Sequence, residues 1–115
     1  LEEMLRCGPS TDSCGIAVGT NFGAHRTLGE LHAVARAAGS SALSPMGAPN
    51  FCINLIASHA AIKYGARRFN LTLTTPQAAG LDALATAARE LMHGRCQQAL
   101  AGAVEEGVVF QRVVL

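Results

Sequence analysis

Asn70-Leu71-Thr72-Leu73-Thr74-Thr75-Pro76-Gln77-Ala78-Ala79-Gly80-Leu81-Asp82-Ala83-Leu84 changes its hydrophobic period halfway along. Residues 69–74 are rich in side chains that suit a strand, and Pro76 ends the run. Over 78–93 the apolar positions Leu81, Leu84, Ala85, Ala88, Leu91 and Met92 fall on one helical stripe, with Asp82 near the positive end and Arg89 and His93 toward the other. Gly94 supplies the stop. The stretch therefore predicts a buried strand joined to a long helix by a sharp turn, with residue 77 at the helix entrance. Unsatisfied backbone N–H groups and the positive dipole end of a helix lower a thiol's pKa and stabilise an oxyanion, so this junction suits a nucleophile. It holds an amide instead. On residue type alone, Gln77 reads as a capping or loop residue.

Upstream, Gly15-Ile16-Ala17-Val18-Gly19-Thr20 is a short apolar run closed by glycine and a polar residue, the pattern of a buried strand. Leu28, Leu31, Val34, Ala35 and Ala38 then recur at helical spacing, with Thr27 as the expected cap, Glu30 three residues on, and Gly39-Ser40-Ser41 as the end. Ser44-Pro45 and Ala48-Pro49 are expected to hold the next stretch extended. A second helix is predicted over 51–64, with Ile53, Ile56, Ala57, Ala60 and Ala61 on a narrow, small-residue face and Gly65 as a left-handed stop. Downstream, 98–103 reads as a strand, and 108–114 as another after the turn Glu105-Glu106-Gly107. Residues 1–14, containing Gly8-Pro9-Ser10, read as a short helical turn leading into a loop. The order strand, helix, helix, strand, helix, strand predicts an α/β sheet packed with helices.

The 115 residues suit one domain with a modest core. Half are hydrophobic, while 4% are aromatic and 15% charged, so the apolar content comes mainly from Ala, Leu and Val. So thin a charge cannot cover the surface, and surplus apolar surface marks an interface or a missing remainder of the fold. Nine basic and eight acidic residues give a net charge of +1 with no basic stripe, which argues against a nucleic-acid partner. The apolar runs are too short for a membrane span, and the opening residues lack the pattern of a signal peptide, so a cytoplasmic chain is expected. Cys7, Cys14, Cys52 and Cys96 show no metal-ligand spacing and read as reduced, mostly buried thiols. No metal or cofactor is expected.

From Gly15 to about Glu105 the ordered motifs resemble the amino-terminal half of β-ketoacyl synthases. These are the GIAVGT strand with Asn21-Phe22-Gly23, Leu43-Ser44-Pro45, Pro49-Asn50, Asn54-Leu55-Ile56-Ala57-Ser58-His59, Ile62-Lys63-Tyr64-Gly65, Asn70-Leu71-Thr72-Leu73-Thr74-Thr75 and Ala101-Gly102-Ala103-Val104-Glu105. Ser58-His59 departs slightly from the family's Gly-His. The resemblance implies a thiolase-like α/β fold with α/β/α layers and a mixed sheet. It also implies that residues 1–115 form one amino-terminal-type domain, about half of a ketosynthase unit.

Aligning the family's T-A-C-x-x-G motif on Thr75 and Gly80 puts Gln77 where the nucleophilic cysteine stands. Condensation needs a thiolate to take the acyl chain as a thioester, and an amide cannot do this. Gln77-Ala78-Ala79-Gly80-Leu81-Asp82-Ala83-Leu84 is similar to the corresponding stretch of chain-length factors. These are the non-condensing partners of catalytic ketosynthases in type II polyketide or aryl-polyene synthesis. The resemblance thus implies a subunit without catalytic residues of its own, paired with a cysteine-bearing ketosynthase and meeting acyl carrier protein through the complex. Alternatives are a malonyl-thioester decarboxylating loading ketosynthase using Gln77, and a structural domain without activity. The family's catalytic histidines lie beyond the matched region, so His25, His32, His59 and His93 have no claim to those roles, and His59 is read as structural. In the family, the strand before the nucleophile pairs across the subunit interface; its counterpart here is Asn70, Leu71, Thr72, Leu73 and Thr74, an uncharged run. Leu71 and Leu73 are expected to face one helical layer and Thr72 and Thr74 the other, while the small-residue face of 51–64 admits the neighbouring subunit.

Overall fold

The computed structural model describes residues 11–105. The strand expected over 108–114, most of the opening turn and loop, and Cys7 lie outside the described residues. Strands β1 (Cys14–Gly19), β2 (Asn70–Leu73) and β3 (Gln98–Ala103) form a sheet in the order β2-β1-β3. Both pairings are parallel, with Gly19 opposite Leu73 on one side and Ala103 on the other. Helices α1 (His25–Ala38), α2 (Leu55–Tyr64) and α3 (Ala79–Met92) make the connections. A parallel pair needs such a crossover, because a hairpin reverses direction.

The core has two small halves, one on each face of the sheet. Ala57 and Ala61 of α2 pack with Ile16, joined by Val18, Ala60 and Leu100. On the opposite face Ala83 and Ala87 of α3 pack with Ala17, joined by Phe69, Leu73, Ala99 and Ala101. The layers are therefore α/β/α, with alanines letting each helix lie close against the sheet. Glycine allows a closer approach still: a Cβ on Gly19 would stand 2.2 Å from the Ala79 carbonyl oxygen, and one on Gly15 within 2.1 Å of the Phe69 ring, which lies over that backbone.

Several local expectations are corrected. α1 starts at His25 with Ala24 as its cap, so Thr27 lies inside the helix and caps nothing. The prolines do not extend the whole 44–51 stretch. Ser44 is extended, but Pro45–Phe51 forms 3-10 helix, because the fixed φ of proline suits the first position of a helical turn as well as an extended chain. Cys52 is extended, which delays α2 until Leu55. Gly65 does supply the left-handed stop, at φ 69°, with its N–H donating to the Ala61 carbonyl.

Two apolar faces also differ from expectation. The face of α3 that meets the sheet is Ala79, Ala83 and Ala87. The predicted stripe turns outward, with Leu81, Leu84 and Met92 exposed at 72%, 60% and 83%. Of the predicted small-residue face, Ala57, Ala60 and Ala61 of α2 are spent on the chain's own sheet, while Ile53 and Ile56 stay exposed. α1 packs chiefly on the 3-10 turns that follow it and buries none of its residues fully.

Candidate functional site

Because the three strands are parallel and in register, their carboxyl ends emerge side by side, the place where open α/β sheets hold their ligands. β2 runs into Thr74-Thr75-Pro76-Gln77, β1 into Thr20-Asn21-Phe22-Gly23, and β3 into Val104-Glu105. The ladder continues past the strands: Thr20 N–H donates to the Leu73 carbonyl at 2.9 Å and Val104 N–H to the Gly19 carbonyl at 3.0 Å. The Glu105 carboxylate then accepts from the backbone N–H groups of Asn21 and Phe22. Thr20, buried at 1% exposure, accepts from Gly23 N–H through its hydroxyl at 3.0 Å and closes the turn.

Gln77 stands at the turn between β2 and α3, exposed, with φ at 62°. Among the described residues it is the non-glycine residue in the left-handed region, where the Cβ crowds the following carbonyl at a cost of about 1–2 kcal/mol. The neighbouring turn supports this conformation. The Asn21 carboxamide, with its orientation assigned from its hydrogen bonds, donates to the Thr75 carbonyl at 2.8 Å and accepts from Gln77 N–H at 3.2 Å. Glu105, Asn21 and the Thr75–Gln77 turn thus form one chain of contacts across all three strand ends.

The predicted interface residues Asn70, Leu71, Thr72 and Leu73 make up β2, at an edge of the described sheet, and Thr74 follows it. Leu73 joins the α3 face as expected, whereas Leu71, expected on the same layer, is exposed. Ile16 N–H donates to the Phe69 carbonyl and Thr20 N–H to that of Leu73. By strand alternation, the backbone groups of Asn70 and Thr72 point away from β1. The Thr72 hydroxyl oxygen is buried without a partner among the described residues.

Cys14 and Cys96 lie elsewhere, whereas Cys52 lines a hollow with Gly23, Ala24 and Asn50 beside the β1 turn. Cys14 begins β1, opposite Gln98, so its thiol is at the far end of the sheet from Asn21, and Cys96 is buried just before β3. Burial pushes both thiols above their ordinary pKa; the backbone at Leu100 partly offsets this for Cys14, and Glu90 adds to it for Cys96. Cys52 is exposed beside α2. His59 is exposed on α2, and His25 stacks edge-on to Phe22 with ring centroids 5.5 Å apart. No group of three or more His, Cys, Asp or Glu among the described residues is arranged to hold a metal, and no helix there is long and apolar enough to cross a membrane.

Sequence reasoning found the elbow but missed the contacts around it. Asn21 and Glu105 both sit in segments singled out by the resemblance, yet nothing in the sequence states that residues 84 apart will meet. Only the shared register of β1 and β3 brings them together.

The chain is thus an α/β protein with a strained strand-to-helix turn at the carboxyl edge of a parallel sheet. The family model of the β-ketoacyl synthase N-terminal domain matches residues 3–110, and the chain belongs to that family. Over 92 residues it is 27% identical to the 3-oxoacyl-(acyl-carrier-protein) synthase 2 of Vibrio harveyi, covering 80% of this chain and 22% of that protein. The enzyme of the same name from Vibrio cholerae is 28% identical over 92 residues, again covering 80% and 22%. The chain therefore spans about a fifth of the length of these curated relatives. Its fold is similar to that of the ishigamide ketosynthase/chain length factor, with a TM-score of 0.83 and 20% identity over 95% of this chain and 32% of the other. It is also similar to a structure of a type II polyketide synthase acyl-carrier protein in complex with its ketosynthase bound to the hexaketide, with a TM-score of 0.79 and 22% identity over 89% and 29%. At such identities the likeness establishes the fold alone, the thiolase-like α/β fold expected from the sequence, over less than the half of a ketosynthase unit that the resemblance implied.

Proposed function

We propose that this chain belongs to a non-condensing, chain-length-factor-like subunit that pairs with a cysteine-bearing ketosynthase. The setting is type II polyketide, aryl-polyene or fatty-acid-like elongation, with acyl carrier protein meeting the complex. The observation that carries the reading is Gln77 on the elbow, at φ 62°, in the position taken to be the nucleophile's. A left-handed turn at a helix start would present a thiolate well, and here it presents a carboxamide that cannot form a thioester. Cys14 and Cys96 are buried away from the elbow and cannot substitute for it. Pairing is supported by β2, an uncharged edge with outward-pointing backbone groups and none of the usual Lys, Glu or Pro protection. The exposed leucines of α3 add apolar surface that calls for cover.

The test is co-expression with ketosynthases encoded beside the gene, followed by size-exclusion chromatography and mass measurement. A stable heterodimer is expected, with Gln77→Ala leaving assembly and product formation essentially unchanged. Labelled carbon dioxide released from malonyl carrier protein, and lost on the order of a hundredfold with Gln77→Ala, would replace this reading with a decarboxylase. A well-folded monomer at micromolar concentration that ignores every ketosynthase would leave a structural domain without activity.

A further inference from the structure

Gln77 is solvent-exposed and held at φ 62°, yet its backbone N–H does not face solvent alone. The Asn21 oxygen accepts from it at 3.2 Å, while the same carboxamide donates to the Thr75 carbonyl at 2.8 Å. Both groups belong to the elbow and lie two residues apart, so a single planar amide clamps the turn from below. The clamp is itself fixed, because the Asn21 N–H and the Phe22 N–H both donate to the Glu105 carboxylate. Gly19, the second residue before Asn21, allows the first turn of α3 to sit against β1.

We propose that Asn21 is a positioning residue that holds the elbow at residue 77 in the left-handed conformation and occupies its N–H, so that this donor is withheld from an incoming thioester carbonyl. A fixed N–H at the start of a helix is the kind of donor that stabilises an oxyanion. A donor already bonded to a neutral amide within the chain must first break that bond to serve. The inference deepens the non-condensing reading: besides lacking a thiol, the elbow has its N–H engaged internally. The hydrogen-bond geometry, however, stands whether or not a ketosynthase partner exists.

Amide hydrogen exchange followed by NMR on the intact chain tests it directly and does not depend on any partner. In the unaltered protein, Gln77 N–H should exchange at least about tenfold more slowly than an unprotected amide, despite its exposed position. Asn21→Ala should abolish that protection while the Val18 and Leu100 amides in the sheet keep theirs. Asn21→Asp, which retains an acceptor oxygen, should restore it. Unprotected exchange at Gln77 in the unaltered protein overturns the proposal, even if Asn21→Ala fails to fold. Protection that survives in a folded Asn21→Ala chain overturns it as well.

A chemical readout comes from a Gln77→Cys chain, whose new thiol attacks an acetyl thioester, takes the acetyl group and releases the donor's thiol. Adding Asn21→Ala should speed this transfer on the order of a hundredfold, the low end of the value of one oxyanion donor, while alkylation by iodoacetamide changes little. Equal transfer rates overturn the claim that Asn21 withholds the donor. Absence of any ketosynthase complex would bear only on the proposed function.

Discussion

Gly19 lies so close to Ala79 that a Cβ on the glycine would stand 2.2 Å from the Ala79 carbonyl oxygen and 2.7 Å from Gly80 N. Backbone, not a flexible side chain, fills that space, so Gly19→Ala must push α3 away from β1. The expected loss is about 1–3 kcal/mol or more, as for other overpacked cores. Gly29→Ala is the control: Gly29 lies inside α1, and its Cβ would meet nothing within 4 Å. It should gain up to about 1 kcal/mol from helix propensity. Urea denaturation of both variants checks the pair.

The two faces of α3 should respond in opposite ways. Ala83 is 0% exposed against Ala17, whereas Leu84 is 60% exposed. Ala83→Leu should cost about 1–3 kcal/mol by overpacking. Leu84→Gln should stay within about 0.5 kcal/mol in the chain itself, although under the proposed function it should weaken pairing. Thermal melts of the chain, and co-purification with the partner, separate the effects.

Gln77→Gly should raise stability by about 1 kcal/mol, because glycine removes the left-handed penalty that Gln77 bears at φ 62°. Gln77→Val should lower it, since a β-branched side chain tolerates that region least. Chemical denaturation reads both, and an unchanged midpoint for the glycine variant would deny the strain.

At Thr72 the backbone and the side chain make separate predictions. The Thr72 N–H points away from β1, so Thr72→Pro should spare the internal ladder and, under the proposed function, abolish assembly through the β2 edge. Thr72→Val removes a buried hydroxyl oxygen without a partner among the described residues. It should be neutral or stabilising by about 1 kcal/mol, with assembly retained. Size-exclusion chromatography with light scattering distinguishes the two.

Burial raises the thiol pKa of Cys14 and of Cys96 in the folded chain. A raised folded-state value means that the folded protein favours the protonated thiol. The associated stability is fully present below the unfolded thiol pKa, about 8.5, and is lost as pH rises toward the folded value. Melting temperature should therefore fall between pH 8 and pH 10, and fall less in a Cys14→Ala, Cys96→Ala double variant compared with its own value at pH 7. In the native chain Cys52, which is exposed, should alkylate before Cys14 and Cys96.

The sequence by itself determined the elements and their class. Short apolar and β-favouring runs and period-3.6 patterns reflect local backbone geometry, so β1, β2, β3 and all three helices were legible, as were Gly65 as a left-handed stop and Gly94 as a helix end. The ordered motifs also made the family legible from the sequence. Tertiary structure alone decided which helical face meets the sheet. In α3 both the leucine stripe and the Ala79, Ala83 and Ala87 face have helical spacing, and close approach to the sheet selects the smaller side chains. It alone also showed that the Ala57 and Ala61 face serves the chain's own core. The site divides the same way. Gln77 could be read from one segment, because strand, turn and helix are contiguous there. Its φ of 62°, the Asn21 carboxamide beneath it and the Glu105 carboxylate behind Asn21 required three parallel strands in one register, a long-range pairing that no local pattern encodes.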